Sequence, residues 1–365
     1  MNSGKGIKPM ISDFASALLN KFHQNSIEYA ILRNHSNFPN KPQDSCYYDL
    51  DIIANKRNLK KIDELLLEEV SSTNSHCFIK KIFKEYVCTY RIIIVDSKLN
   101  NCFDAIQIDI HINGQGWWGF YYLNEKDILS EKKQNDDGFF VLSNFYSHLF
   151  NWLDKGLWGN YVKEKYTVGI LDSYNQETKK WHEFFERWFD VKHRETLQEC
   201  FINGDLEKSL PLMPTLRKKL INNSLKHGVI QTSINFVSFI IHELKQFIVT
   251  PGMHLVLNGF SHEEIELFQK NLQRAVIGDL SKVVIVQTER KKISILREVI
   301  PVVRRNSFFL VCHQNKSTNF QLKNKKHFET TTLLSQSTLI QLFKAYSKTR
   351  YFGSAVLYIN KIQNN

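Results

Sequence analysis

Between residues 10 and 22 the apolar side chains Ile11, Phe14, Leu18, Leu19 and Phe22 fall at the spacing of one helical face. The pattern then changes period. Residues 27–32 form a short apolar run that predicts a strand, and the polar, proline-bearing stretch 34–45 predicts a loop. Residues 47–54, Tyr-Tyr-Asp-Leu-Asp-Ile-Ile-Ala, alternate as a strand does. Helical spacing returns over 58–70 through Ile62, Leu65, Leu66 and Val70. Three more strands are expected at 77–83, 87–95 and 105–112. This order of elements predicts a small α/β domain with a mixed sheet over residues 1–143.

From residue 144 the pattern is helical. Stripes at 144–153, 161–174, 178–189, 192–202, 216–223 and 231–249 predict a helical middle region, 144–249. Lys155-Gly156 reads as the end of its first helix, with glycine as the usual cap. Pro211 and Pro214 break the chain between later ones. A third region, 250–365, opens with a strand at 252–259 and a helix at 262–276 capped by Ser261, with Glu263 and Glu264 in its first turn. Strands at 282–287, 307–312 and 355–359 and a helix at 333–347 follow. A β-α-β order of this kind implies a parallel sheet with crossover helices.

Chemistry enters with the polar positions of the strands. Asp49 and Asp51 alternate with Leu50 and Ile52. They therefore project from one face, roughly 7 Å apart along the strand. Side-by-side carboxylates repel and call for a cation or ligand between them. An oxygen-only set suits Mg²⁺ or Mn²⁺, held together with substrate phosphates. Asp109 sits in a second alternating run, Ile-Gln-Ile-Asp-Ile-His-Ile, and His111 shares its face. The bland alternative makes Asp49 and Asp51 edge or turn carboxylates, Asp109 a solvent-facing strand residue and His111 a satisfied structural one. Directly after comes Gly-Gln-Gly-Trp-Trp-Gly-Phe-Tyr-Tyr, residues 114–122. It is expected as a loop that either covers a substrate or caps a core.

Composition narrows the setting. Hydrophobic residues make up 42% of 365, enough for true cores and against a disordered chain. No run of about 18 apolar residues occurs, so no membrane span is expected. The N-terminus has no apolar segment that reads as a signal peptide. Cys46, Cys77, Cys88, Cys102, Cys200 and Cys312 form no CxxC pair and no zinc spacing, as expected of reduced thiols in a cytoplasmic protein. The net charge of +11 is uneven: residues 1–150 carry 17 Lys and Arg against 18 Asp and Glu, the remainder 31 against 19. Basic groups at 217–219, 290–292, 304–305 and 323–326 suit an anionic partner, RNA or a membrane surface, or simply a solvated basic face.

Leu32-Arg33-Asn34, Phe38-Pro39, Asp49-Leu50-Asp51-Ile52-Ile53, Asp109-Ile110-His111 and the helix around His148-Leu149 with Lys155-Gly156 together resemble the nucleotidyltransferase-like proteins encoded among bacterial cell-surface polysaccharide genes. The resemblance spans about residues 25–170. It implies catalytic and metal-binding roles for Asp49, Asp51 and Asp109. It also implies substrate contacts from Arg33, Asn34, Ser36 and His111, with a nucleoside triphosphate and an acceptor as substrates. Such proteins usually carry Gly-Ser or Gly-Gly after the first strand; here the stretch is Arg33-Asn34-His35-Ser36. Arg33 could contact phosphate bidentately or form an ion pair with one of the aspartates.

Some members of that group carry a C-terminal domain similar to thymidylate kinase. Residues 251–259 match its strand, but the loop 258–264 lacks the Lys and hydroxyl of a phosphate loop. A degenerate P-loop fold is implied, or an ordinary β-α-β domain. Three functions follow as expectations: a Mg²⁺-dependent nucleotidyltransferase, a pseudoenzyme that binds nucleotide or sugar without turnover, and an enzyme that transfers nucleotides to RNA.

Overall fold

The computed structural model describes residues 10–33, 38–39, 47–73, 76–83, 87–95, 103–112, 114–118, 120–248, 253–258, 260–275, 284–287, 308–313, 326–330, 336–347 and 355–361. Its first part is a seven-stranded mixed sheet. The strands are β1 (Tyr29–Ile31), β2 (Tyr47–Ala54), β3 (His76–Phe83), β4 (Val87–Val95), β5 (Phe103–His111), β8 (Lys133–Gln134) and β9 (Phe140–Val141). They lie in the order β3-β4-β5-β2-β1-β9-β8. β2 and β5 run parallel, with Asp51 opposite Asp109; β4 is antiparallel to β5, with Thr89 opposite Asp109.

One face of this sheet is largely apolar, with Lys81 and the Tyr90 hydroxyl meeting Asp63 toward the β3 edge. Leu50, Ile52, Tyr90, Ile92, Ile106, Ile108 and Ile110 are buried there with Phe14, Leu18, Leu19 and Phe22 of α1 (Met10–Gln24) and Ile62, Leu65 and Leu66 of α2 (Leu59–Ser72). The helical stripes seen in the sequence are the faces that meet these isoleucines. The opposite face carries the alternating polar positions. It is covered in two places. Ala30, Leu32 and Ile53 pack into a helical core built on α4 (Asn144–Gly159). At the far edge, Phe78 of β3 packs against Phe343 of the C-terminal helix α11 (Gln336–Ser347), ring centroids 6.4 Å apart. The carboxylates lie between these two covers.

The helical core continues through α5 (Glu164–Gln176), α6 (Thr178–Trp188), α7 (Val191–Ile202), α8 (Met213–His227) and α9 (Val229–Ile248). Trp152, Trp181, Phe185 and Phe201 meet edge-on at its centre, and Trp152 donates its indole N–H to Ser209 at 3.0 Å. α4 does not stop at Gly156. It runs to Gly159 and closes on Asn160 in the left-handed conformation, φ 55°. Gly156 is there for packing: a Cβ on it would stand 2.9 Å from Met213 Cε. Arg217 supplies the end of this helix instead, donating to the Leu157 carbonyl at 2.6 Å.

The stretch 114–122 is also not a loop. It forms a two-stranded ribbon, β6 (Gln115–Trp117) and β7 (Phe120–Leu123). Trp118 and Phe120 stack on Phe236 of α9, and Trp118 also stacks on Phe239. Of the two expected roles, capping a core is the one its packing serves. The helix α3 (Glu125–Ser130) and the short pair β8–β9 were not expected from the sequence.

The C-terminal part has an all-parallel five-stranded sheet, as the β-α-β order predicts. Its order is β11 (Val284–Gln287), β12 (Phe308–His313), β10 (Met253–Asn258), β14 (Ala355–Lys361), β13 (Lys326–Thr330). β13 is an addition; only its first residue, Lys326, falls in a basic group of the sequence. At the start of α10 (His262–Ala275), Glu264 accepts from the Ser261 backbone N–H at 2.9 Å, and Ser261 Oγ accepts from the Glu264 N–H at 3.3 Å. This reciprocal cap satisfies with the chain's own groups the amides that a phosphate loop would offer to a ligand. No helix among the described residues is long and apolar enough to cross a membrane.

Candidate functional site

The pleat delivers the acidic residues to one place. Asp49 and Asp51 are two apart on β2, and β5 brings Asp109 level with Asp51. One carboxylate oxygen from each lies within 4.8 Å of the others. The bland alternatives for the three aspartates therefore do not hold: they converge on the central strands, and Asp51 is only 1% exposed.

Each aspartate has a different environment. Asp109 is oriented by two donors, Thr89 Oγ1 at 2.6 Å and Gln107 Nε2 at 3.0 Å. Gln107 is itself held by Arg91 Nε at 3.3 Å. Asp51 accepts from both Arg33 Nε, at 2.6 Å, and Arg33 Nη2, at 3.1 Å. His111 Nε2 stands 3.5 Å from Asp51 Oδ1, the oxygen that also accepts from Arg33 Nη2. Burial would raise the Asp51 pKa, but Arg33 and His111 hold it below the usual carboxylate range. Asp49 is half-buried, and its Oδ1 is buried with no hydrogen-bond partner among the described residues. Burial first, then the charges of Asp51 and Asp109, push its carboxyl up to about 8.

Arg33 therefore makes the ion pair that the sequence left open as an alternative to phosphate contact. Its guanidinium lies 5.1 Å over the Phe150 ring and 3.6 Å from Asp154. Burial opposes its charge, but Asp51 and Asp154 outweigh that and keep it protonated. Phe150 and Asp154 are four apart on α4, so one helix face supplies both contacts. His111 completes the wall, edge-on to Phe150 at 5.7 Å. Asn34 and Ser36 lie outside the described residues.

Sequence reasoning missed a set of cations beside the triad. Lys155 is 3.3 Å from Asp154. Lys163 and Lys165, at the start of α5, both lie over the Tyr166 ring, at 5.7 and 4.8 Å. The Lys163 ammonium acts on Asp49. Its own pKa is lowered by burial and by the neighbouring Lys155, Arg33 and Lys165. Lys155 belongs to the Lys155-Gly156 element of the resemblance, but no motif marks Lys163 or Lys165. The trace those two leave in the sequence is the i, i+4 pair Phe150/Asp154, which sets which face of α4 looks at the sheet.

The triad fits a divalent cation on the evidence of its atoms. Asp49 Oδ1 is an orphaned buried oxygen, and its environment disfavours a second negative charge. Arg33 uses one lone pair on each Asp51 oxygen, and a carboxylate oxygen has another. No family model, curated protein or solved structure matches the chain.

Proposed function

We propose that the chain is a nucleotidyltransferase-type enzyme dependent on Mg²⁺ or Mn²⁺. The observation that carries this is the convergence of Asp49, Asp51 and Asp109 on adjacent parallel strands, with one buried oxygen left unpartnered. The three carboxylates would hold the metal, which supplies charge stabilisation to a transferring phosphoryl group. The remaining roles belong to side chains. Thr89 and Gln107 fix the direction of Asp109, which would act on the acceptor hydroxyl. Lys155, Lys163 and Lys165 offer the cationic surface that a triphosphate tail needs. Arg33 holds Asp51 ionised and in place. His111 stands beside both and can position an acceptor. The cell-surface polysaccharide setting rests on the sequence resemblance alone.

A second function has its own support. The bidentate Arg33–Asp51 pair places a permanent cation beside the triad, as in a pseudoenzyme that binds nucleotide or sugar without turnover. One assay separates the two. The protein is incubated with each labelled NTP, Mg²⁺ or Mn²⁺, and sugar-phosphate, protein and RNA acceptors, alongside Asp49→Asn/Asp51→Asn. Pyrophosphate release that falls at least about a hundredfold in the variant is expected of the enzyme. Nucleotide binding with no release under any condition would assign the chain to the pseudoenzyme.

A further inference from the structure

α9 is apolar on two opposite sides. Phe236 and Phe239 face inward onto Trp118 and Trp158. On the other side Ile230, Ile234, Val237, Ile241 and Leu244 remain 78, 52, 52, 45 and 53% exposed. Their spacing is 4-3-4-3, the 3.5-residue repeat of a seam that packs against another helix. A surface helix ordinarily turns a polar face outward.

We propose that this stripe is the dimer interface of the protein, occupied by α9 of a second copy. The exposed aliphatic side chains amount to on the order of 500 Å² per copy, most of the apolar centre of an interface covering about 800 Å² per partner. From Val229 to Ile241 no side chain is charged. Two identical surfaces therefore meet here without like-charge repulsion, on a chain whose net charge of +11 opposes contact elsewhere. The flanks Ser233 and Ser238 are neutral and Lys245, beside Leu244, is the one charged flank, so the seam carries little charge code for a different partner helix. A membrane surface would call for a polar face rich in Lys and Arg, and α9 carries a single lysine, Lys245.

The test is the solution mass of the full chain by light scattering and sedimentation across a dilution series, beside Ile234→Glu/Val237→Glu. The control is Val191→Glu, an exposed apolar residue on α7. The wild type and the control are expected near twice the 42.9 kDa chain mass. The seam variant is expected as monomer, with dimer affinity weakened at least about a hundredfold and a melting temperature that, unlike the wild type's, does not depend on protein concentration. A monomeric wild type at all concentrations overturns the proposal. So does a seam variant that loses thermal stability without changing mass, which would mean that the chain covers its own stripe. Stripe-dependent sedimentation of a monomer with anionic vesicles would assign the face to lipid instead. None of these outcomes depends on the nucleotidyltransferase activity.

Discussion

Asp49 and Asp51 are chemically identical and two positions apart, yet the fold drives their proton affinities in opposite directions. Asp51 has Arg33 against both oxygens; Asp49 has burial and two carboxylate neighbours. In the folded chain Asp49 keeps its proton up to about pH 8, whereas the unfolded chain releases it near about 4. Between those values the folded state binds the extra proton, so this residue's contribution to stability falls as pH rises. Asp51 behaves oppositely: its contribution is present above about 4 and is lost as pH falls below. Asp49→Asn should therefore flatten the decline in melting temperature between pH 5 and pH 8, and should melt higher than wild type at pH 8 by several degrees, as read by differential scanning fluorimetry. Millimolar Mn²⁺ should raise the wild-type melting temperature at pH 8 and leave that of the variant nearly unchanged. At this scale the sequence is informative about the acids, leaves Arg33 open between phosphate and an aspartate, and is silent about Thr89, Gln107 and Lys163. Asp-x-Asp on an alternating strand is a local pattern. The pairing of Arg33 with Asp51 depends on β1 lying beside β2, and the approach of Lys163 depends on the turn after α4.

Among the elements, strands β4 and β5 are legible because one face of each is packed with β-branched residues, as in Ile92 and Ile94 or Ile106 and Ile108. The sequence predicts α4 but ends it at Gly156, three residues short of Gly159. Gly156 looks like a cap only until Met213, far along the chain, is seen against it. The ribbon β6–β7 was missed because glycine and aromatics in alternation also suit a loop. Its turn geometry is nonetheless written in one residue. Gly114 has φ +93°, and a Cβ there would stand 2.2 Å from the Leu123 carbonyl oxygen. Gly114→Ala should cost about 1–3 kcal/mol from backbone strain, with more from the displaced ribbon, and lower the urea midpoint. Because Gly114 closely follows β5, the same change should loosen Asp109 and reduce metal-induced stabilisation.

For the whole molecule, the asymmetry of charge is real in the sequence but only partly free for a polyanion. Arg217, from one of the basic groups, is spent on the carbonyls of α4 and on the Trp117 ring. The groups at 290–292, 304–305 and 323–325 fall outside the described residues. RNA-directed transfer would require binding whose affinity falls steeply with salt. A gel-shift titration with single-stranded RNA is expected to show only weak association that disappears on raising salt from about 50 to 200 mM, with no dependence on Asp49 or Asp51. Tight binding lost in the aspartate variants would instead favour RNA as the acceptor. The parallel sheet of the last part was legible from its β-α-β order. The position of α11 against the N-terminal sheet was not, since nothing local in Phe343 points to Phe78.

The parallel pairing of β2 with β5 has a consequence for how the protein comes into being. Neighbouring strands that run the same way cannot be joined by a tight turn, and the intervening chain here must first form α2 and the β3–β4 hairpin. During synthesis Asp49 and Asp51 thus leave the ribosome well before the strand that completes their cluster. Long-separated pairings of this kind form slowly. The nascent chain is spared the repulsion of three crowded acids until most of its first sheet already exists to hold them.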